Sequence, residues 1–150
     1  MSYLTTKHNL IDYSTIVSTG LSDQTISTST VTVNGTSISF TPLISTNKVI
    51  YECYFSYSWS PDNTNSVKLE LFEDTGDGYS SLGDGYVVYE SAAAFRHNGI
   101  CNIKHFLPGY SGTRSYEIRA TATSTSTEIK VLGASGFYPI VTMYSYLNET

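Results

Sequence analysis

The chain has 150 residues, a formal net charge of −5 and only eight basic residues, which form no run. This length fits one domain, and the charge excludes nucleic acid or an anionic membrane as the main partner, because both attract clustered lysine and arginine. No stretch is long and apolar enough for insertion into a membrane. Residues 1–8 lack the basic and apolar regions of a secretory signal, so we expect folding in a cytosol.

Hydroxyl groups take the place of charge on this chain. Charged residues make up only 14% of it, whereas there are thirteen tyrosines, and serine and threonine crowd residues 27–32, 37–41 and 121–127. Hydroxyls solvate a surface without charge, and threonine and tyrosine suit a pleated sheet. The composition therefore indicates β structure.

The first predicted strands flank a tight turn. Residues 31–33 and 37–40 lie on either side of Asn34 and Gly35. Both turn residues tolerate the positive φ of a two-residue connection, so a β-hairpin is predicted here.

The clearest strand pattern covers residues 48–59. The odd positions are all apolar or aromatic, whereas the even positions mix charged, polar and apolar side chains. Alternation with period two predicts a long strand with one face in the core. The mixed face carries Ile50 and Tyr54, which need a cover of their own.

Shorter strands are predicted further along the chain, separated by glycine-rich and proline-containing turns. They cover residues 67–71, 86–89, 100–107, 116–120 and 129–131. The best helix candidate, residues 90–97, supports one or two turns at most. The predicted fold is all-β, a two-sheet jelly-roll sandwich of about 8–10 antiparallel strands.

The final segment, residues 139–147, carries large apolar or aromatic side chains at both parities. A strand that is apolar on both faces is central to its sheet and covered twice. A single sandwich covers only one face, so the second cover is predicted to be another subunit. The predicted interface residues are Ile50, Tyr54, Ile140, Met143, Tyr144 and Tyr146.

The order of these segments resembles the tumour necrosis factor and complement globular-head superfamily. The resemblance covers residues 31–147 and is carried by the strands at 49–59, 67–72, 99–107, 115–120 and the aromatic terminal strand. It implies a ten-strand jelly roll that forms trimers, with the last strand mid-sheet against the threefold axis. Residues 21–150 would form the jelly-roll domain and residues 1–20 an attachment segment.

Trimeric heads of this kind occur in animal secreted proteins, on bacterial spores, and in bacteriophage fibres and decoration proteins. The low-charge composition, rich in serine, threonine and tyrosine, and the expected lack of an export signal favour a virion component. The expected partners are two further copies of the chain, other virion proteins and a host-surface glycan. A soluble carbohydrate-binding or adhesin module of the same fold is the alternative.

Three potential metal ligands, His97, Cys101 and His105, stand four residues apart. On a helix this spacing would align them, but Asn98 and Gly99 favour a turn or an extended chain. In a strand the two histidines would be about 20 Å or more apart at roughly 3.3 Å per residue, so no metal site is expected. Cys53 and Cys101 are predicted to be buried thiols.

Residues 73–86 are acidic and glycine-rich, and contain Gly-Asp-Gly-Tyr twice. Spaced carboxylates suit calcium, but Asp-Gly is also ordinary turn chemistry, so a structural loop is the main interpretation and calcium the alternative. Tyr79 and Tyr86 of this segment, with Tyr110, are candidates for a surface that stacks on sugars. No other cofactor is expected.

Catalysis finds no support in the motifs of this chain. A Gly-x-Ser-x-Gly elbow, a glycine-rich phosphate loop and a His-Glu-x-x-His motif are all lacking. Cys53 lies on the predicted apolar face, where a reactive thiolate is disfavoured. The protein is therefore not expected to be an enzyme.

Overall fold

A computed structural model describes residues 10–59, 65–83, 86–90, 97–123, 129–133 and 138–147. These residues form strands and connections with no helix, so the all-β prediction is confirmed. The strands in chain order are β1 (Leu10–Val17), β2 (Gln24–Ile26), β3 (Val31–Thr32), β4 (Ile38–Phe40), β5 (Lys48–Trp59), β6 (Asn65–Asp74), β7 (Tyr79–Ser81), β8 (Tyr86–Glu90), β9 (His97–Leu107), β10 (Arg114–Ala122), β11 (Ile129–Leu132) and β12 (Ile140–Tyr146).

The first sheet is built around β5. On one side β5 pairs with β9 over its whole length, from Val49 opposite Leu107 to Trp59 opposite His97. On the other side β12 pairs with the first half of β5, and β11 with the second half. β1 extends the sheet beyond β12, and β2 extends it beyond β11. The terminal strand therefore lies mid-sheet, between β1 and β5.

The second sheet is built around β10 and β6, which pair antiparallel from Ser115 opposite Asp74 to Ala122 opposite Val67. β3 and β4 follow one another along the side of β10 that does not pair with β6. β7 and β8 do the same along the free side of β6. All pairings in both sheets are antiparallel among the described residues, as expected of a β-sandwich.

The core lies between the two sheets and follows the period-two alternation. Val49, Tyr51, Cys53 and Phe55 of β5 are buried, as the pattern at 48–59 predicts. They belong to one cluster with the inward residues of the second sheet, such as Leu71 and Ile118. The alternation sets the inner face because a one-residue slip would turn all of these side chains to solvent.

The predicted hairpin at Asn34 and Gly35 is wrong in its pairing, although the chain turns there. Gly35 has a φ of 81°. β3 and β4 both pair with β10 instead of each other. The turn therefore interrupts one edge of the second sheet and does not form a hairpin. The reason is Thr36, whose buried hydroxyl accepts a hydrogen bond from the amide of Ile118 at 3.1 Å and bridges the interruption.

The structure also contains strands that the sequence pattern did not predict. β1 pairs with β12 within residues 1–20, so the sandwich begins before the predicted boundary at residue 20. Twelve strands are present among the described residues, because β1, β2 and β7 add to the nine predicted ones. β2 and β7 have three residues each, too few to show a period. The helix candidate at 90–97 lies mostly outside the described residues.

Candidate functional site

The first sheet turns a mostly apolar surface away from the second sheet, and we call this surface the apolar face. It is formed by the even positions of β5, β9 and β12 and by the β1 residues beside them. Along β5, Ile50 lies between Tyr144 and Phe106, and Tyr54 lies between Ile140 and Asn102. The alternation that sends Tyr51 and Cys53 inward therefore sends this set outward.

Large side chains of the apolar face are open to solvent, with exposed fractions from 38% for Ile140 to 76% for Ile100. The other members of this exposed set are Leu10, Tyr13, Val17, Tyr54 and Phe106. Single exposed apolar residues are ordinary, but a contiguous group marks an interaction surface. Four strands by eight residues give a planar area of roughly 500 Å² at the usual strand spacing and rise.

A groove of about 370 Å³ lies on this face. Ile50 forms its floor and is only 5% exposed, although it lies outside the core cluster. The walls are Leu10, Lys104, Phe106, Tyr144 and Tyr146. A shallower depression lined by Leu10, Tyr13, Thr142 and Tyr144 continues it toward β1.

A polar cluster around Glu52 occupies the middle of the apolar face. The hydroxyl of Tyr54 donates to Glu52 Oε1 at 2.6 Å, and that of Tyr144 donates to Oε2 at 3.4 Å. Lys104 Nζ lies 3.9 Å from Oε2. The ammonium also lies over the rings of Phe106 and Tyr144, at 5.9 and 5.6 Å from their centroids. Two charges of opposite sign are thus held together among apolar side chains.

The cluster strengthens the ordinary protonation of two of its members. A hydrogen bond with Tyr144 raises the pKa of Lys104, and the nearby Glu52 carboxylate adds to this. The hydrogen bond to Glu52 raises the pKa of Tyr54. Lys104 therefore stays a cation, and Tyr54 a hydroxyl donor, to a higher pH than the same side chains do in water.

The outer face of the second sheet has a different chemistry. Hydroxyl groups pair across its strands, as in Ser39 with Ser115 at 2.8 Å and Thr30 with Thr121 at 2.8 Å. Arg119 Nε donates to Glu117 Oε1 at 2.7 Å, and its guanidinium lies 4.4 Å from the ring centroid of Phe72. Among the side chains described here, this face pairs many of its polar groups within the chain, whereas the apolar face leaves large hydrophobic groups uncovered.

The six predicted interface residues divide into two sets. Ile50, Tyr54, Ile140, Tyr144 and Tyr146 all belong to the apolar face by register. Met143 does not: it is fully buried in the core, because it has the opposite parity to Tyr144 on β12. The prediction of Met143 as an interface residue is therefore corrected.

The three tyrosines proposed for sugar stacking do not form one surface. Tyr110 is buried, donates to the Phe40 carbonyl oxygen at 3.2 Å and packs under the Arg114 guanidinium. It is therefore not available to a ligand. Tyr79 is partly exposed, with the Arg119 guanidinium 5.1 Å from its ring centroid. Tyr86 begins β8, and its side chain is outside the described part of the structure.

Two carboxylates of the acidic loop form hydrogen bonds within the chain. Asp74 Oδ1 accepts from the amides of Gly76 and Gly78, at 2.7 and 3.0 Å, and closes the turn between β6 and β7. Glu73 accepts from Arg114 at 2.9 Å and from Tyr116 at 2.7 Å. These bonds are those of a structural loop; Asp84 and Gly85 lie outside the described residues.

The histidine and cysteine positions 97, 101 and 105 lie in one extended strand, β9, as the strand interpretation predicts. No group of three metal-binding side chains occurs in the parts of the chain that are described. Cys53 and Cys101 are free thiols, and burial raises their pKa values to about 12 and about 11. Both cysteines are therefore protonated at neutral pH.

Sequence reasoning did not single out Leu10, Tyr13, Ile100, Lys104 or Phe106 as part of this site. Ile100 and Phe106 belong to the even positions of β9, and the same period-two reading that was applied to β5 identifies them as one face. The pairing of that face with Tyr54 and Ile50 depends on the register of β5 with β9, for which the sequence has no local signal.

No protein-family model and no curated protein matches this chain. The strands and connections that the structure describes include no helix with the length and apolar character to cross a membrane.

Proposed function

We propose that the protein is a homotrimeric structural component of a virion, a bacteriophage capsid decoration protein or a fibre-tip receptor-binding protein. It acts by assembly, with the apolar faces of three sandwiches packed around one axis. The observation that carries this proposal is the contrast between the two outer faces. One exposes Tyr13, Ile100 and Phe106. On the other, described hydroxyls and charges pair within the chain, as Ser39 does with Ser115 and Arg119 with Glu117.

The position of β12 supports a jelly roll that assembles through this sheet. β12 lies between β1 and β5, mid-sheet, as the resemblance to the tumour necrosis factor superfamily implies. Its inner residues, Val141 and Met143, fill the core. Its outer residues, Ile140 and Tyr144, belong to the apolar face, so association would supply the second cover that the doubly apolar sequence needs.

A second copy of the chain fits the charges of this face. Glu52 and Lys104 balance one another at the centre, and the register places Lys48 and Lys130 toward the two ends. The centre therefore adds no net repulsion between identical surfaces, and the excess of positive charge on this face is confined to its two ends.

The oligomeric state tests the proposal. Light scattering and native mass measurement at micromolar concentration should give the mass of a trimer. Tyr13→Asp should shift the mass toward the monomer, because Tyr13 is 68% exposed in the single chain and would be buried on assembly. Ser39→Asp, at an exposed position of the second sheet, is the matched control and should leave the mass unchanged. A wild-type chain that stays monomeric contradicts the proposal.

The virion assignment needs a test of its own. It is supported by the low-charge composition, rich in hydroxyl groups, which favours a particle component. Neighbouring capsid or tail genes, and co-sedimentation of the protein with purified particles, are the expected observations. A gene neighbourhood without virion genes would contradict it.

A carbohydrate-binding module is the second candidate, and the partly exposed ring of Tyr79 favours it. The ring lies beside Arg119 and Phe72 on the second sheet, so it would remain accessible in the trimer. Binding of the isolated protein to a glycan array, lost in Tyr79→Ala, is the expected result. An unchanged glycan profile in that variant would exclude this site.

A further inference from the structure

We propose that the ion pair of Glu52 and Lys104 determines the specificity of self-association: it fixes the number and register of the copies that come together. This inference rests on the proposed assembly through the apolar face. The two residues are directly opposite one another on β5 and β9. They are the charged pair at the centre of this surface, where Ile50, Tyr54 and Tyr144 are large neighbours.

The pair is organised before any partner arrives. The Glu52 side chain is 18% exposed, and both of its carboxylate oxygens accept hydrogen bonds from tyrosines of the same chain. Lys104 is held beside it by the faces of two aromatic rings. A polar cluster that is already fixed loses little conformational entropy when it is covered, so it can act as a template.

Covering the apolar face would remove water from this cluster. A buried ion pair adds little stability over apolar residues of the same shape, but a carboxylate or ammonium that faces apolar atoms alone is strongly penalised. Ile50, Phe106 and Ile140 would pack in many registers with similar energy. The charged pair would not, because most registers would leave it without polar neighbours.

The second sheet provides a matched pair for comparison. Lys68 Nζ lies 2.8 Å from Glu70 Oε1, and the Lys68 side chain is half exposed. Glu70 also accepts a hydrogen bond from the Ser81 hydroxyl at 3.2 Å. Arg119, opposite Glu70 in the register, and Ser81 are described polar neighbours of this pair, so the same substitutions there should not change association.

The experiment uses native mass spectrometry and sedimentation on the full chain. Lys104→Met should raise the concentration of half-dissociation at least about tenfold, because the partner carboxylate is then buried without its cation. Glu52→Leu with Lys104→Leu should still associate, but in more than one oligomeric order. There are two control variants on the second sheet: the single variant Lys68→Met, and the double variant Lys68→Leu with Glu70→Leu. Both should associate as the wild type does.

The outcomes separate the two proposals. A wild-type monomer overturns the assembly itself, and this inference with it. A wild-type trimer whose leucine double variant keeps one order and the same half-dissociation concentration overturns only the role of the ion pair. If circular dichroism shows that the leucine variant is unfolded, Glu52→Gln with Lys104→Met replaces it. This neutral pair should reverse at least half of the tenfold rise in half-dissociation concentration that Lys104→Met alone causes. If the double variant dissociates as readily as Lys104→Met, the inference is overturned.

Discussion

The hydroxyl of Tyr51 donates a 2.7 Å hydrogen bond to the carbonyl oxygen of Thr36, and both residues are fully buried between the sheets. This bond ties the centre of the first sheet to the turn that interrupts the edge of the second. It also satisfies two polar groups that water cannot reach.

Tyr51→Phe should therefore destabilise the sandwich. The ring still fills its site, but the carbonyl oxygen of Thr36 loses its partner, at a cost of about 1–3 kcal/mol. Urea unfolding followed by circular dichroism measures the free energy of unfolding. Tyr138→Phe, at an exposed side chain outside the strands, is the control and should change that free energy by less than about 0.5 kcal/mol. Equal stability of Tyr51→Phe and wild type would contradict the role of the bond.

Thr36→Val tests the interruption of β3 and β4. The Thr36 hydroxyl donates to the Val33 carbonyl oxygen at 2.7 Å and accepts from the Ile118 amide. Valine keeps the shape but leaves the buried amide unpaired, so we expect a loss of about 1–3 kcal/mol in the free energy of unfolding. Hydrogen exchange at the Ile118 amide should become faster in the variant. Thr30→Val, which breaks an exposed hydroxyl pair, should have little effect on either quantity.

Two residues on opposite faces of β12 should respond differently to the same substitution. Met143→Asp places a charge in the core and should unfold the chain, whereas Ile140→Asp lies on the apolar face and should leave the monomer folded. Circular dichroism distinguishes the two, and light scattering should show that Ile140→Asp weakens association. A folded Met143→Asp variant would contradict the inner position of that residue.

Alkaline pH should weaken the fold through Cys53. Burial raises its pKa to about 12 from an ordinary value of 9.0, so the unfolded thiol ionises at a lower pH than the folded one. This contribution is fully present below pH 9 and is lost as pH rises toward 12. The expected slope is about 1.4 kcal/mol per pH unit within that window.

Unfolding free energies at pH 7 to 11 provide the measurement for this effect. Cys53→Ala should lower stability at neutral pH through the lost volume, but it should flatten the decline above pH 9. Burial also raises the pKa of Tyr51, so some alkaline decline will remain in the variant. Parallel curves for wild type and variant would show that Cys53 does not contribute.

Local alternation was sufficient to predict the long strands and the inner face of the sandwich. β5 lies where the period-two pattern placed it, because a strand with one apolar face has only one favourable orientation over a core. The apolar character of both faces of β12 was also visible in the sequence, and Ile140 on its outer face is exposed.

The pairing of the strands and the burial of individual side chains depended on contacts between residues that are distant in the sequence. Asn34 and Gly35 have the chemistry of a hairpin, yet β10 provides a better partner for both flanking strands. Tyr110 follows a Pro-Gly turn, where a surface position is typical. Its ring nevertheless packs in the core, and its hydroxyl donates a hydrogen bond to the Phe40 carbonyl oxygen. The groove beside Ile50 combines residues from β1, β5, β9 and β12, so no local pattern could predict it.

The mid-sheet position of β12 has a consequence for biosynthesis. β1 pairs with β12, and β12 pairs with the first half of β5, so the first sheet cannot close until the last strand has left the ribosome. Pairings between residues this far apart in sequence make folding slow, typically milliseconds to seconds. The edges of β1 and β5 remain open during translation, and we expect the nascent chain to depend on chaperone protection until Tyr146 emerges.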